Sequence, residues 1–112
     1  MSRPQLSRHL MLEHETQVPD GSGGFLRNWA VLGAHWAEIK AGSGRETSGP
    51  ATTLSRVTHK ITIRAALAGS DARPLAGQRF RGHGRIYAIH AVAESAKSAR
   101  YLTCHATEET VV

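Results

Sequence analysis

The sequence predicts an all-β fold, a small single-domain β-barrel of about six antiparallel strands joined by long Gly-rich loops. Polarity alternates with period two in several separate stretches. The cleanest runs from Thr53 to Ala66, where Val57, His59, Ile61, Ile63 and Ala65 oppose Arg56, Thr58, Lys60, Thr62 and Arg64. Clusters of Gly, Pro, Ser and Asp punctuate the chain between these stretches, so each is short. A sustained helical period is missing: Trp29, Leu32 and Trp36 have helical spacing, but Gly33 in their midst argues against a helix. Short strands separated by Gly-rich turns pack as a barrel or sandwich.

Taken in order, residues 9–16 (HLMLEHET) place Leu10 and Leu12 on one face and Met11, Glu13 and Glu15 on the other, which is a half-buried strand. VPDGSGG, from Val18 to Gly24, is dense in turn formers and reads as a mobile loop. Phe25 to Ala41 reads as an irregular approach around Trp29 followed by a strand from about Leu32 to Lys40. GSGRETSGP, from Gly42 to Pro50, holds four glycines and prolines in nine positions and cannot sustain regular structure. The strand THKITIR follows. AGSDARP turns the chain, and QRFRGHGRIYAIHAVAE makes two strands around a His83-Gly84 hairpin. After a turn at Ser95 to Ser98, the last strand sets Leu102, Cys104 and Ala106 against Tyr101, Thr103 and His105. The expected core is Leu12, Trp36, Ile61, Ile63, Ile86, Ile89 and Leu102. The expected organisation is a flexible N-terminal segment 1–8, a barrel domain 9–108 and a C-terminal tail 109–112.

A chain of 112 residues forms one domain with a modest core. No apolar run approaches the roughly 20 residues of a membrane-spanning helix, and the basic start MSRPQLSR has no apolar segment behind it, so a soluble cytoplasmic product is expected. Cys104 is the only cysteine, which excludes an intrachain disulfide and a Cys-based zinc cage and leaves a small buried strand residue. The net charge is +5 and the pI about 10.1. The excess lies in the second half, where residues 57–112 carry eight basic and four acidic groups. Such a balance tolerates a polyanionic neighbour without requiring one.

Chemical sites are sparse. The seven histidines are scattered without the short-range pairs that put two ligands on one face, so no metal site is expected. GSGRETSG lacks the Gly-Lys-Ser/Thr ending of a phosphate loop, and no Gly-x-Ser-x-Gly elbow occurs. Neither a catalytic residue nor a cofactor is expected. Phe80, Tyr87 and Tyr101 stand among Arg79, Arg81, Arg85 and Arg100, the ingredients of a nucleic-acid-binding barrel, although Phe80 and Tyr87 flank a hairpin and fit a core better.

Three motifs in order carry a resemblance: Trp36 to Glu46 (WAEIKAGSGRE), His59 to Arg64 (HKITIR) and Arg85 to Ile89 (RIYAI). Over about residues 9–108 the sequence resembles the phage head-tail joining family, the head-completion or stopper proteins of long-tailed phages and of phage-like gene transfer agents. One departure is the short, Gly/Pro-broken TSGPATTLS, where family members often carry a longer Gln- and Ala-rich stretch. The resemblance implies a non-enzymatic virion subunit located in the neck, and in the bacterial cytoplasm before assembly. It also implies a ring of six or twelve copies that joins the portal and adaptor above to the tail terminator and tail tube below, with no membrane involved. The ring retains packaged double-stranded DNA in its channel. On that reading Gly42, Ser43, Gly44, Arg45, Glu46, Thr47, Ser48 and Gly49 form a channel-facing loop in which Arg45 meets phosphates. Asp20, Ser22, Lys60, Arg64, Arg79 and Arg81 are the interface candidates. THKITIR is then a structural strand: Ile61 and Ile63 enter the core, His59 is a satisfied inward or rim histidine, and Lys60 and Arg64 lie outside. The alternative function is a stand-alone barrel that binds single-stranded nucleic acid.

Overall fold

The computed structural model describes residues 3–42, 58–95 and 98–109. Six strands follow one another: β1 (Arg8–Pro19), β2 (Phe25–Ala41), β3 (Thr58–Arg64), β4 (Arg79–Gly82), β5 (Arg85–Ser95) and β6 (Ser98–Glu109). No helix occurs among the described residues, and none is therefore long and apolar enough to cross a membrane. The spatial order is β1-β2-β3-β6-β5-β4, every described pairing is antiparallel, and β4 returns to β1 to close the barrel. Closure rests on three residue pairs, Met11 to Glu13 against Arg81 to Arg79.

The alternation read in THKITIR is the alternation observed. Ile61 and Ile63 are fully buried, and their partners across β6, Cys104 and Leu102, are buried with them. Leu10, Leu12, Ala37, Phe80, Tyr87, Ile89 and Ala106 complete the core, with Leu32, Ile39 and Val92 packed against it. At the hairpin between β4 and β5, Gly82 pairs with Arg85, and His83 and Gly84 both take positive φ (52° and 76°). That is the two-residue turn whose twist matches the flanking strands.

Two expected core residues lie elsewhere. Trp36 is 57% exposed on the outer wall, edge-on to His9 at 5.0 Å. The cause is a bulge: Leu12 pairs with Gly33 and Glu13 with Val31, leaving Leu32 as the extra residue on β2. Leu32 packs against the core, but beyond it the inward set is His35, Ala37 and Ile39, one residue out of phase with Trp36. Ile86 is half-buried, because Tyr87 and Ile89 take the inward positions of β5 and Ile86 faces outward opposite Arg81. Phe80→Ala is therefore expected to cost about 3–5 kcal/mol in urea denaturation. Ile86→Ala is expected to cost about 1 kcal/mol.

β2 is one continuous strand of 17 residues and has no irregular approach. β3 pairs with β2 only from Ala37 onward and β4 pairs with β1 only as far as Glu13, so the remainder of β1 and β2 leaves the barrel as a two-stranded spur. Six residue pairs, from His14 with Ala30 to Pro19 with Phe25, extend it by about 20 Å. The segment expected to be a mobile loop is its tip. Val18 and Pro19 belong to β1, the Asp20 N–H donates to the Gly24 carbonyl at 3.0 Å, and Asp20 Oδ1 accepts from the N–H groups of Ser22 (2.7 Å) and Gly24 (3.0 Å).

Candidate assembly surface

The root of the spur is held by charge. Glu13, the last β1 residue to touch β4, is 3% exposed, and its carboxylate takes Arg79 Nε on Oε1 and Arg81 Nε on Oε2, each at 2.8 Å. The Arg79 guanidinium also lies 4.1 Å from the ring centroid of Trp29, which stands on β2 within the spur. One carboxylate and one cation thus tie β1, β2 and β4 together where the hairpin leaves the barrel. Burial pushes the Glu13 carboxyl up, but the hydrogen bonds and charges of Arg81 and Arg79 more than offset this and hold it below the ordinary carboxylate value. Of the interface candidates Arg79 and Arg81, the first has a side chain 16% exposed and engaged within the chain, whereas the second keeps an exposed half.

Apolar residues are exposed mainly at one end. Val18, Phe25, Leu26 and Val31 lie on the spur or at its root, while Leu67 and Leu75 lie in the β3–β4 connection. That connection leaves the barrel at the spur end, since β3 runs antiparallel to β2 and β4 begins opposite Glu13. The opposite end carries the polar His83-Gly84 turn and the start of the Gly42 loop. Gly42 donates its N–H to the Thr58 carbonyl, and a Cβ there would collide with that oxygen, so the loop leaves the barrel from a glycine-only position. Ser43, Gly44, Arg45, Glu46, Thr47, Ser48 and Gly49 lie outside the described residues.

The other interface candidates are placed separately. Asp20 and Ser22 sit at the spur tip, where Asp20 orders the turn. Lys60 and Arg64 stand on the outer face of β3, opposite His105 and Tyr101 of β6. His59 faces inward at the rim, edge-on to Tyr87 at 5.3 Å with Nε2 3.6 Å from Glu108; its buried Nδ1 has no partner among the described residues, so it is only partly satisfied there.

His35 closes the barrel interior at the spur end. Its ring meets Phe80 edge-on at 6.0 Å and hydrogen-bonds the backbone of Ala72, which anchors the β3–β4 connection. Burial lowers its pKa from 6.5, and the Ala72 bond offsets only part of this. The folded state thus keeps His35 neutral while the unfolded chain takes up a proton, so stability present above pH 6.5 falls as the pH drops below it. Urea midpoints at pH 7.5 and 5.5 should differ, and His35→Gln should reduce the difference.

Reactive chemistry is muted. The buried Cys104 thiol is pushed up to about 12, with Arg73 countering only part of the effect, so it does not present a thiolate. Among the described residues no group of three or more His, Cys, Asp and Glu is arranged to hold a metal ion. Phe80 and Tyr87 are buried, which leaves Tyr101 alone of the three aromatics on the outer wall.

Sequence reasoning missed Glu13 and the spur. The visible signals were Arg79-x-Arg81 on one face of a short strand, and the cluster of Phe25, Leu26 and Trp29 beside a Gly-rich turn.

The closed sheet thus exposes apolar residues mainly on a clasped, projecting hairpin and in the connection at the same end, an arrangement suited to contact with another protein surface. The family model for the phage head completion protein matches residues 1–109, and the chain belongs to that family. It is also similar to a chain in the solved structure described as "Virion of native gene transfer agent (GTA) particle". The identity is 46%, the TM-score 0.77, and the match covers 98% of this chain and 100% of that one. No similar curated protein was found.

Proposed function

We propose that the protein is a structural component of a phage or gene transfer agent virion that completes the head by forming a ring between the portal-adaptor complex and the tail, and that the ring retains packaged DNA. The family membership and the similarity to a virion chain support the head-completion role. One observation supports assembly through this chain's own surfaces. An isolated two-stranded hairpin is marginal in water, yet this one projects about 20 Å with Phe25 64% exposed and no third strand paired to either edge among the described residues. Such an element gains its stability from a neighbour. In a ring, that neighbour is a second copy of the chain, with the spur laid on the adjacent barrel. The Gly42–Gly49 loop is then free to reach the channel from the far end.

The test uses DNA-filled heads that lack the protein and have no tails. Adding purified protein is expected to restore both DNA retention and tail attachment. Restoration of neither, with tight salt-dependent binding of the isolated chain to single-stranded DNA, would replace this reading with the nucleic-acid-binding barrel. Burial of Phe80 and Tyr87 weighs against that alternative, because stacking platforms must be exposed.

A further inference from the structure

On the outer wall of the barrel, Lys40 of β2 pairs directly with Lys60 of β3, and Lys60 with His105 of β6. Like charges directly opposite one another on a sheet repel. Here two ammonium groups and an imidazole form one row across three adjacent strands, about 10 Å long at the usual strand spacing. Glu38 lies 3.7 Å from Lys40 while its Oε2 accepts from the Gln5 N–H at 2.8 Å, so it offsets one charge at the end of the row and leaves the central Lys60 without a counter-charge among the described residues. Lys60, Arg3 and Arg100 have no carboxylate within ion-pair distance among the described residues. These groups surround an open groove of about 670 Å³, to which Glu94 contributes the other acid. Beside the basic row runs a second row, in which Glu38, Thr62 and Thr103 pair across β2, β3 and β6 and line the same groove.

We infer that this groove is a binding site for the phosphodiester backbone of DNA. A line of lysines offers point charges without directional demand, which suits phosphates passing in succession, and the adjacent threonines supply hydroxyl donors to the remaining phosphate oxygens. The cost of opposing Lys40 and Lys60 is then relieved when the ligand is present. The site needs neither a ring nor a tail, so it can fail while head completion stands, and the reverse.

The experiment is an amide-shift titration of the purified, isotopically labelled protein with a 12-base-pair DNA duplex at low salt. The expected result is weak, saturable binding with shifts centred on Lys40, Lys60, Thr62, Thr103 and His105. The slope of log affinity against log salt should be near −2 to −3, as neutralising two or three phosphates requires at about −0.9 each. Lys60→Glu should weaken binding by about tenfold or more, and Arg85→Glu, at the far hairpin, should leave it unchanged. Shifts centred elsewhere, no shifts at all, or equal shifts with a poly-glutamate peptide of matched charge would each overturn the assignment, the last by showing an acidic-protein surface instead.

Discussion

Replacing Glu13 by alanine is expected to destabilise the fold by about 3 kcal/mol, the largest loss predicted for any charged side chain here. The carboxylate is buried, and each of its oxygens accepts a charge-assisted bond at 2.8 Å. Alanine would leave Arg79, itself mostly buried, without a counter-charge, while Arg81 could turn its exposed half to water. Removal of one partner is costly for the charge that remains. Arg81→Ala should therefore cost less than Arg79→Ala, and a Glu13/Arg79 double-mutant cycle in urea should give a coupling above about 1 kcal/mol. The pH dependence has a definite sign. The folded pKa lies below the ordinary value of 4.5, so this contribution is fully present above pH 4.5 and is lost as the pH falls through the folded value. Glu13→Gln should flatten stability in that acid range. A loss below about 0.5 kcal/mol for Glu13→Ala, the range of a neutral surface change, would show that the clasp does not hold the spur.

β3, and β6 from Tyr101 onward, were legible in the sequence because nothing interrupts their alternation: the run from Thr58 to Arg64 has the same two faces in the structure as in the pattern. The His83-Gly84 turn was legible because few residue pairs take positive φ twice in succession. β2 was not, since the bulge at Leu32 resets the phase within the strand; a reading that kept one phase through Leu32 had to put Trp36 inside. Ile86 misled for a related reason, as Ile86 and Ile89 are three residues apart and cannot share a face of an unbulged strand. Glu13 looked like an outward strand residue, and it does face outward. Its burial comes from Arg79 and Arg81, 66 and 68 positions away, which local patterning does not register. The spur was hidden for the opposite reason: its residues alternate like any strand, and only the pairing shows that β3 and β4 stop short of it.

Phe25→Ser combined with Leu26→Ser is expected to leave the isolated subunit folded and to abolish head-tail joining. Both side chains are more than half exposed, so their loss should change subunit stability by no more than about 0.5 kcal/mol. If each is an anchor against the adjacent copy, at about 2 kcal/mol apiece, the pairwise affinity falls by about a thousandfold, and the loss recurs at every interface of a closed ring. The readouts are circular dichroism of the purified variant and its ability to restore tail attachment to heads that lack the protein. A double variant that folds and still restores full attachment would remove the spur from the assembly. Single variants divide the outcome further, because adjacent strand residues point to opposite faces. Phe25 shares the outer face with Trp29 and Val31, whereas Leu26 pairs with Val18 on the face continuous with the barrel interior. Loss of joining with Phe25→Ser alone would seat the neighbour against the outer wall. Loss with Leu26→Ser alone would place it beneath the spur, beside Leu67 and Leu75 at the mouth of the barrel.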